Sequence, residues 1–307
     1  MNTYAPDYYH EFKCIADKCT HSCCVGWEID IDSHTLDYYE SLGGSIGERL
    51  CRGISYEDEP HFILESGDRC PFLNQTGLCD LICELGEDAL CDICADHPRF
   101  RNYYSDSVEL GLGLCCEAAG RLILQRTQPF KLVALNTVSS ECSYSHEERY
   151  VLNMRDKLIA IMQDRSMTIE ERLRAIPREC GVQMPEKSIA EWCDYYMTLE
   201  ILSSDWTDAL NLLKNTHNDE FMTDDRLNIA LEQLTVYFLY RHMTPCTSDI
   251  CTVVKFAVLS CSMIWALWSI SDTKDMESLI QYARMYSSEI EYSDENLDSI
   301  FMELSFL

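Results

Sequence analysis

The chain has 307 residues, with 24 basic and 52 acidic side chains, a formal charge of −28 and a pI near 4.5. So large an acidic excess excludes a nucleic-acid backbone as the main partner, because that role needs lysine and arginine in surplus. With 47% hydrophobic and 10% aromatic residues, the chain can bury one large core or two ordinary ones, which excludes disorder as the default.

The N-terminal stretch MNTYAPDYYHEFKC has no apolar run, so export by a signal peptide is not expected and the chain reads as cytoplasmic. Cysteines begin at once. Cys14, Cys19, Cys23 and Cys24 fall within eleven residues, and the adjacent Cys23 and Cys24 point in different directions on almost any backbone. A short strand is expected around Glu28–Ile31. Gly43-Gly44-Ser45-Ile46-Gly47 reads as a helix C-cap and loop after Tyr38–Ser41. It lacks the strand and distant acid of a dinucleotide-binding turn, and no G-x-G-x-x-G occurs elsewhere. Cys70 and Cys79 bracket PFLNQTGL, whose Asn74–Gly77 predicts a turn between two short arms. Cys91-x2-Cys94 is a two-ligand knuckle, in which a tight turn aims both sulfurs at one ion. A second short strand is expected around Val108–Leu114, followed by the doublet Cys115-Cys116 and a helix from Glu117.

Beyond this point the sequence reads as helical. Val151, Met154, Leu158 and Ile161 form an apolar stripe over Glu148–Gln163. Thr168 and Glu171 make a capping-box pattern for a short helix that Pro177 is expected to stop. Segments 187–203, 205–215, 224–243 and 249–270 continue the pattern. The apolar run Phe256–Ile270 is shorter than the roughly 20 residues that span a bilayer, so it reads as a core helix and no membrane partner is expected. Ser287–Leu307 keeps enough apolar residues to dock as a terminal helix. The fold class expected is mainly α: an irregular Cys-rich metal-binding module with short strands (residues 1–125) packed on a helical module (residues 126–307), joined near 125–145.

The thiols dominate the chemistry. Of 18 cysteines, twelve lie in the first 116 residues, Cys51 and Cys83 among them, and six (Cys142, Cys180, Cys193, Cys246, Cys251, Cys261) are scattered beyond. Charge is not divided this way, at −15 for the first 116 residues and −13 for the rest. Disulfides, metal ligation and burial as small hydrophobes are the three uses open to them. In a reducing compartment, clustered thiols at short spacing favour metal. Thiolate-only ligation suits zinc or iron–sulfur clusters, and this many donors fit two sites: two clusters, or one cluster and one zinc. The C-x3-C-x2-C signature of radical S-adenosylmethionine enzymes is absent, since Cys24 follows Cys23 directly.

Three stretches, FKCIADKCTHSCCVGWEIDID (Phe12 to Asp32), RCPFLNQTGLCDLICELGEDALCDICADHPRF (Arg69 to Phe100) and ELGLGLCCEAAGRLIL (Glu109 to Leu124), resemble the flagellin lysine-N-methylase family. The Cys-rich part also resembles a broader group of zinc- or iron-chelating domains. The resemblance implies metal ligation by Cys14, Cys19, Cys23, Cys24, Cys70, Cys79, Cys91, Cys94 and Cys115. Cys51 and Cys83 match no family cysteine, Cys116 stands where the family has proline, and His97 where it has tyrosine. The resemblance further implies methyl transfer from S-adenosylmethionine to lysines of flagellin, with a 4Fe–4S cluster and room for a second cluster or zinc. The rival readings are a zinc-stabilised protein-binding module without catalysis, and a metal-dependent oxidoreductase acting on peptides.

Methylating lysine requires a neutral amine, which costs about 4.6 kcal/mol at pH 7 from a pKa near 10.4. The expected bases are Glu117, His97 and Tyr103 of the pair Tyr103-Tyr104. Arg99 is a candidate for holding a carboxylate such as the donor's, and Trp27 for stacking on the cofactor. Glu117 also has a purely structural option at a helix N-terminus, Arg99 in an ion pair, and Trp27 as packing over the metal.

Overall fold

The computed structural model describes residues 1–138, 143–216, 224–245 and 249–307; Cys142 and Cys246 lie outside them. The chain forms two compact units, residues 13–99 and residues 1–12 with 100–307, each with its own apolar core. In chain order the elements are β1 (Asn2–Pro6), α1 (Ser33–Ser41), α2 (Gly44–Gly53), β2 (Ile54–Ser55), β3 (His61–Phe62), α3 (Asp80–Leu85), α4 (Asp92–Asp96), β4 (Arg99–Tyr103), β5 (Ser107–Leu112), α5 (Glu117–Leu124) and β6 (Leu132–Asn136). They continue as α6 (His146–Met162), α7 (Ile169–Glu179), α8 (Ile189–Tyr196), α9 (Ser204–Thr216), α10 (Asp225–His242), α11 (Ile250–Ser269), α12 (Met276–Tyr286) and α13 (Asp294–Phe306). The described residues are thus mainly helical with a small sheet.

This division differs from a boundary at 125/126. A four-stranded sheet in the order β4-β5-β1-β6 places β1 parallel to β5 and antiparallel to β6. The N-terminal strand is thereby built into the larger unit, and the expected joint near 125–145 supplies the strand β6. Gly111 of β5 is required by close approach: a Cβ there would lie 2.1 Å from the Phe100 ring. Around Glu28–Ile31 only a single bridge forms, Asp30 with His61, beside the short β2–β3 pair.

Three helix boundaries depart from the sequence reading for identifiable reasons. Gly43–Gly47 does not form a loop: α2 starts at Gly44, and a Cβ on Gly47 would collide with the Leu42 carbonyl oxygen at 2.2 Å. α7 runs past Pro177 to Glu179, because a proline in the last turn removes one hydrogen bond while its own carbonyl accepts from Cys180 and Val182 N–H. α8 ends at Tyr196, short of 203, because the Glu200 and Leu202 N–H groups bond to Asn296 and Glu289 side chains instead of helical carbonyls. Capping boxes start α6 at Ser145 and Glu148, α7 at Thr168 and Glu171, and α8 at Ser188 and Glu191.

In the larger unit α10 and α11 carry the core, with Leu231, Leu234 and Phe238 of α10 and Phe256, Met263 and Ile264 of α11 all buried in it and the Phe238 and Phe256 rings 5.6 Å apart. Among the described residues α11 is the one helix long and apolar enough to cross a membrane, and it is mostly buried inside the fold. Of the scattered thiols, Cys193 and Cys261 are buried there, and Cys180 and Cys251 half-buried.

Two buried ion pairs lock this core. Arg155 of α6 grips Glu109 of β5 with two hydrogen bonds of 2.6 and 2.7 Å and donates to Tyr104 Oη at 3.0 Å. Arg172 and Arg165 both close on the fully buried Glu232. Removing one partner of such a pair strands a desolvated charge. Glu109→Ala is expected to lower stability by about 3–5 kcal/mol, measured by urea unfolding; an unchanged midpoint would show that Arg155 needs no carboxylate.

Candidate metal centre and a buried polar cluster

In the unit of residues 13–99, short backbone contacts gather thiols from three parts of the chain. A Val25–Arg69 bridge and the Cys70 N–H bond to the Cys24 carbonyl (2.8 Å) set Cys24 beside Cys70. The Asn74 side chain accepts from Thr76 and Leu78 N–H at 2.9 and 3.0 Å, which closes the expected turn. A Leu73–Cys79 bridge then brings Cys79 back. Asp32 caps α1 through Thr35 N–H (2.8 Å) and accepts from Asp92 N–H (2.9 Å), which anchors the Cys91–Cys94 turn. Tyr39 adds a hydrogen bond to the Ala89 carbonyl at 2.7 Å.

The thiols influence one another. A hydrogen bond with Cys23, helped by Ser22 and Arg69, lowers the Cys24 pKa to about 7 despite burial. A hydrogen bond with Cys94 lowers Cys91 and raises Cys94. Burial pushes Cys70 up to about 12 and raises Cys79, with charge on Cys24 adding to both. Cys24, Cys70, Cys79, Cys91 and Cys94 therefore share one field. Cys14 and Cys23 are exposed and Cys19 is half-buried; Cys51 and Cys83, the thiols without a family counterpart, are exposed.

Among the described residues no three His, Cys, Asp or Glu side chains form a closed metal site. The donors fit a thiophilic ion or cluster in kind: soft sulfurs, with Cys91 and Cys94 hydrogen-bonded to each other and Cys24 and Cys91 lowered in pKa, on turns tied together by backbone bonds. Cys24, Cys70, Cys79, Cys91 and Cys94 are the residues that would hold it. The unit's core is thin, built from Ile29, Ile31, Tyr39, Leu50, Phe62, Phe72 and few others, and a core of that size gains from a metal staple.

His97, Trp27 and Arg99 belong to the same unit. The Trp27 ring lies 6.2 Å from His97, and its Nε1 donates to the Cys23 carbonyl at 2.7 Å. Burial, with a contribution from Arg99, lowers the His97 pKa to about 4, leaving a neutral and weakly basic imidazole. Arg99 donates to the Ala95 carbonyl at 3.3 Å, at the end of α4.

Cys115, Cys116, Glu117 and Tyr103 belong to the other unit. Tyr103 is 64% exposed. Glu117 opens α5 with no exposed side-chain surface, accepts from Gln281 Nε2 at 2.9 Å and lies 3.6 Å from Arg121. Around this doublet is a polar cluster that the sequence reading missed. The buried Glu291 carboxylate accepts from Tyr237 Oη (3.0 and 3.1 Å) and His242 Nε2 (2.6 Å), with Arg241 Nε at 3.3 Å. Tyr237 Oη in turn accepts from Arg241 (2.7 Å) and from Leu114 N–H (3.2 Å), just before Cys115. Against burial, Arg241 and His242 hold the Glu291 pKa low, and burial lowers that of His242. Arg241 also lies 5.0 Å from the Phe100 and Tyr292 ring centres. Burial pushes Cys115 up to about 12, opposed by Tyr292 and Arg241. These groups come from distant helices with no local motif. The one signal available was the polar end of α10, Arg241-His242, inside an otherwise apolar pattern.

The larger unit thus holds a buried Arg–Glu–Tyr–His cluster against a cysteine doublet. Residues 183–306, which supply most of that cluster, match the family model of the FliB lysine N-methylase C-terminal domain. The chain is 25% identical over 126 residues to the flagellar biosynthetic protein FliU of Salmonella muenchen, a match covering 38% of this chain and 75% of that protein. It shows the same identity over the same length to the lysine-N-methylases of Salmonella typhimurium and Salmonella choleraesuis. The match spans only 31% of those two proteins. No solved structure matches.

Anaerobic loading with iron and sulfide, or with zinc, is expected to give stoichiometric bound metal. Cys24→Ser, Cys70→Ser and Cys91→Ser should each lose at least half of it, while Cys51→Ser and Cys83→Ser should not. Metal analysis and thiolate-to-metal absorption read the result, and equal loss at all five positions would refute the assignment.

Proposed function

We propose that the protein is a protein-lysine N-methyltransferase that moves a methyl group from S-adenosylmethionine to lysine side chains of flagellin and depends on a thiolate-held iron–sulfur cluster. The observation that carries this reading is the meeting, at Cys115–Glu117, of the third Cys-rich motif with a buried polar cluster drawn largely from the residues that match the lysine N-methylase domain.

In the reaction the lysine Nζ lone pair attacks the donor's methyl carbon, the carbon–sulfur bond breaks toward sulfur, and the donor leaves as a neutral thioether. The ammonium must first lose a proton. The acidic protein attracts a lysine-bearing substrate, yet a negative field stabilises the ammonium, so local positive charge is needed to release the proton. Arg121 and Arg284 supply that charge near Glu117. Of the expected bases, Tyr103 lies in the open, and we assign the proton to Glu117, which is buried at the start of α5 beside the cysteine doublet. When bound, an iron–sulfur cluster would supply an open iron able, as a Lewis acid, to take donor heteroatoms.

The thin core of residues 13–99 favours one second reading, a zinc-stabilised protein-binding module without chemistry. Incubation of iron–sulfur-loaded protein with flagellin and radiolabelled S-adenosylmethionine separates the two. The enzyme reading expects label on flagellin lysines, reduced by roughly a hundredfold or more by Glu117→Gln, the scale of a lost general base, and abolished by Cys24→Ser. Flagellin that is bound by a colourless zinc protein and never labelled would establish the module instead.

A further inference from the structure

We propose that Trp192, Tyr195 and Glu303 form a binding site for the ammonium end of a methylated lysine side chain, and that Lys187 of this chain fills the site until such a ligand displaces it. The choice of a methylated lysine rests on the lysine-methylation reading; the fit to a lysine ammonium does not.

Trp192 and Tyr195 stand three residues apart on α8, so their side chains share one face of the helix. Their rings lie 5.7 Å apart at 85°, as two walls of a corner. Trp192 is 2% exposed, and the Tyr195 hydroxyl donates to the Ser299 carbonyl of α13 at 2.9 Å, which fixes both rings. One turn further along α13, Glu303 supplies a carboxylate. Lys187 Nζ occupies the corner, 4.8 Å from the Trp192 ring centre and 5.0 Å from that of Tyr195, in an ion pair with Glu303. The two rings and the carboxylate thus meet around one nitrogen, within residues 183–306.

This is more than an ordinary lysine anchor. Lys157 and Lys214 each pair with a carboxylate, Glu179 and Asp194; Lys187 adds two ring faces, the arrangement by which aromatic cages take alkylated ammonium ions. The Lys187 and Glu303 side chains are 27% and 28% exposed, so the site opens to solvent. Lys187 lies in a stretch without regular secondary structure, beside Ser188, whose capping box with Glu191 pins the start of α8. Its side chain can therefore leave by rotation about its own bonds while the rings and Glu303 stay in place.

The walls select the degree of methylation. An N–H aimed at a ring face gives up water for a weak acceptor, whereas a methyl group there gains contact and leaves no donor unmade. The carboxylate side calls for one charged N–H. A protonated dimethyllysine presents two methyl groups and one N–H, matching all three sides. Unmethylated lysine has donors in excess, and trimethyllysine has none for Glu303. Lys187 holds the place by being tethered beside it.

The test uses the full chain labelled with 5-fluorotryptophan, with the Trp192 fluorine resonance identified by Trp192→Phe. The probes are an acetylated, amidated Ala-Lys-Ala tripeptide in unmethylated, dimethylated and trimethylated forms. A site open in about a tenth of molecules or fewer binds an outside ligand at least tenfold more weakly. Lys187→Ala, and Lys187→Gln as a second opened variant, are therefore expected to bind the dimethylated peptide at least roughly tenfold more tightly than the wild type. The other two peptides should bind roughly fivefold more weakly than the dimethylated one, the scale of a desolvated cation–π contact. Adding Glu303→Gln should erase the advantage of dimethyl over trimethyl. A Trp192 resonance unmoved in both opened variants, equal binding of the three peptides, or wild-type binding as tight as theirs would each overturn the site. A Trp192 shift in a protein that never labels flagellin would sink the transfer reading and leave this site standing; labelled flagellin with a silent Trp192 would do the reverse.

Discussion

A carboxylate with no exposed surface must be compensated by charge and hydrogen bonds or it will not stay ionised. Glu291 is compensated by Arg241, His242 and Tyr237, and that demand organises the larger unit. Tyr237 relays the anchorage to Leu114 N–H, and so fixes where β5 ends and where Cys115, Cys116 and Glu117 emerge. The aromatic rings of Phe100 and Tyr292 cover the Arg241 guanidinium and keep water from competing for it. Each member is the partner of another. A change at any of them therefore reaches the cysteine doublet, as is general for fully satisfied polar networks.

The unit of residues 13–99 follows a different principle. Its apolar core is small, and two of its buried members, Cys70 and Cys91, are themselves thiols. Residues that elsewhere would be Leu or Val are spent on sulfur. The backbone bonds from Cys24 to Cys70 and across the Asn74 turn hold the thiols near one another without closing them into a ligand shell. That arrangement fits a module in which metal binding and final ordering are one event.

What could be read from the sequence follows the range of the interactions involved. Capping boxes, the Asn74–Gly77 turn and the apolar stripes of α6, α10 and α11 are local, and the structure carries them. Helix ends decided by remote side chains were not legible: beyond α8, Asn296 and Glu289 capture the Glu200 and Leu202 N–H groups. Nor were β1 and β6, each of which needs a partner far along the chain. The candidate site divides in the same way. The thiols announce themselves by short spacing, whereas Glu291, Tyr237 and Leu114 meet only through folding. The Gly43–Gly47 run was misread because a glycine that permits a tight helix start resembles one that ends a helix.

Methylation of lysine in a flagellar protein is the activity proposed for this chain. It is tested most directly by expressing flagellin with and without the chain in a cell that has no lysine methylase of its own, then mapping flagellin peptides by mass spectrometry. Methyl-lysine present only when the chain is co-expressed is the predicted result. Flagellin equally unmodified in both cells, with the chain folded and metal-loaded, would contradict it.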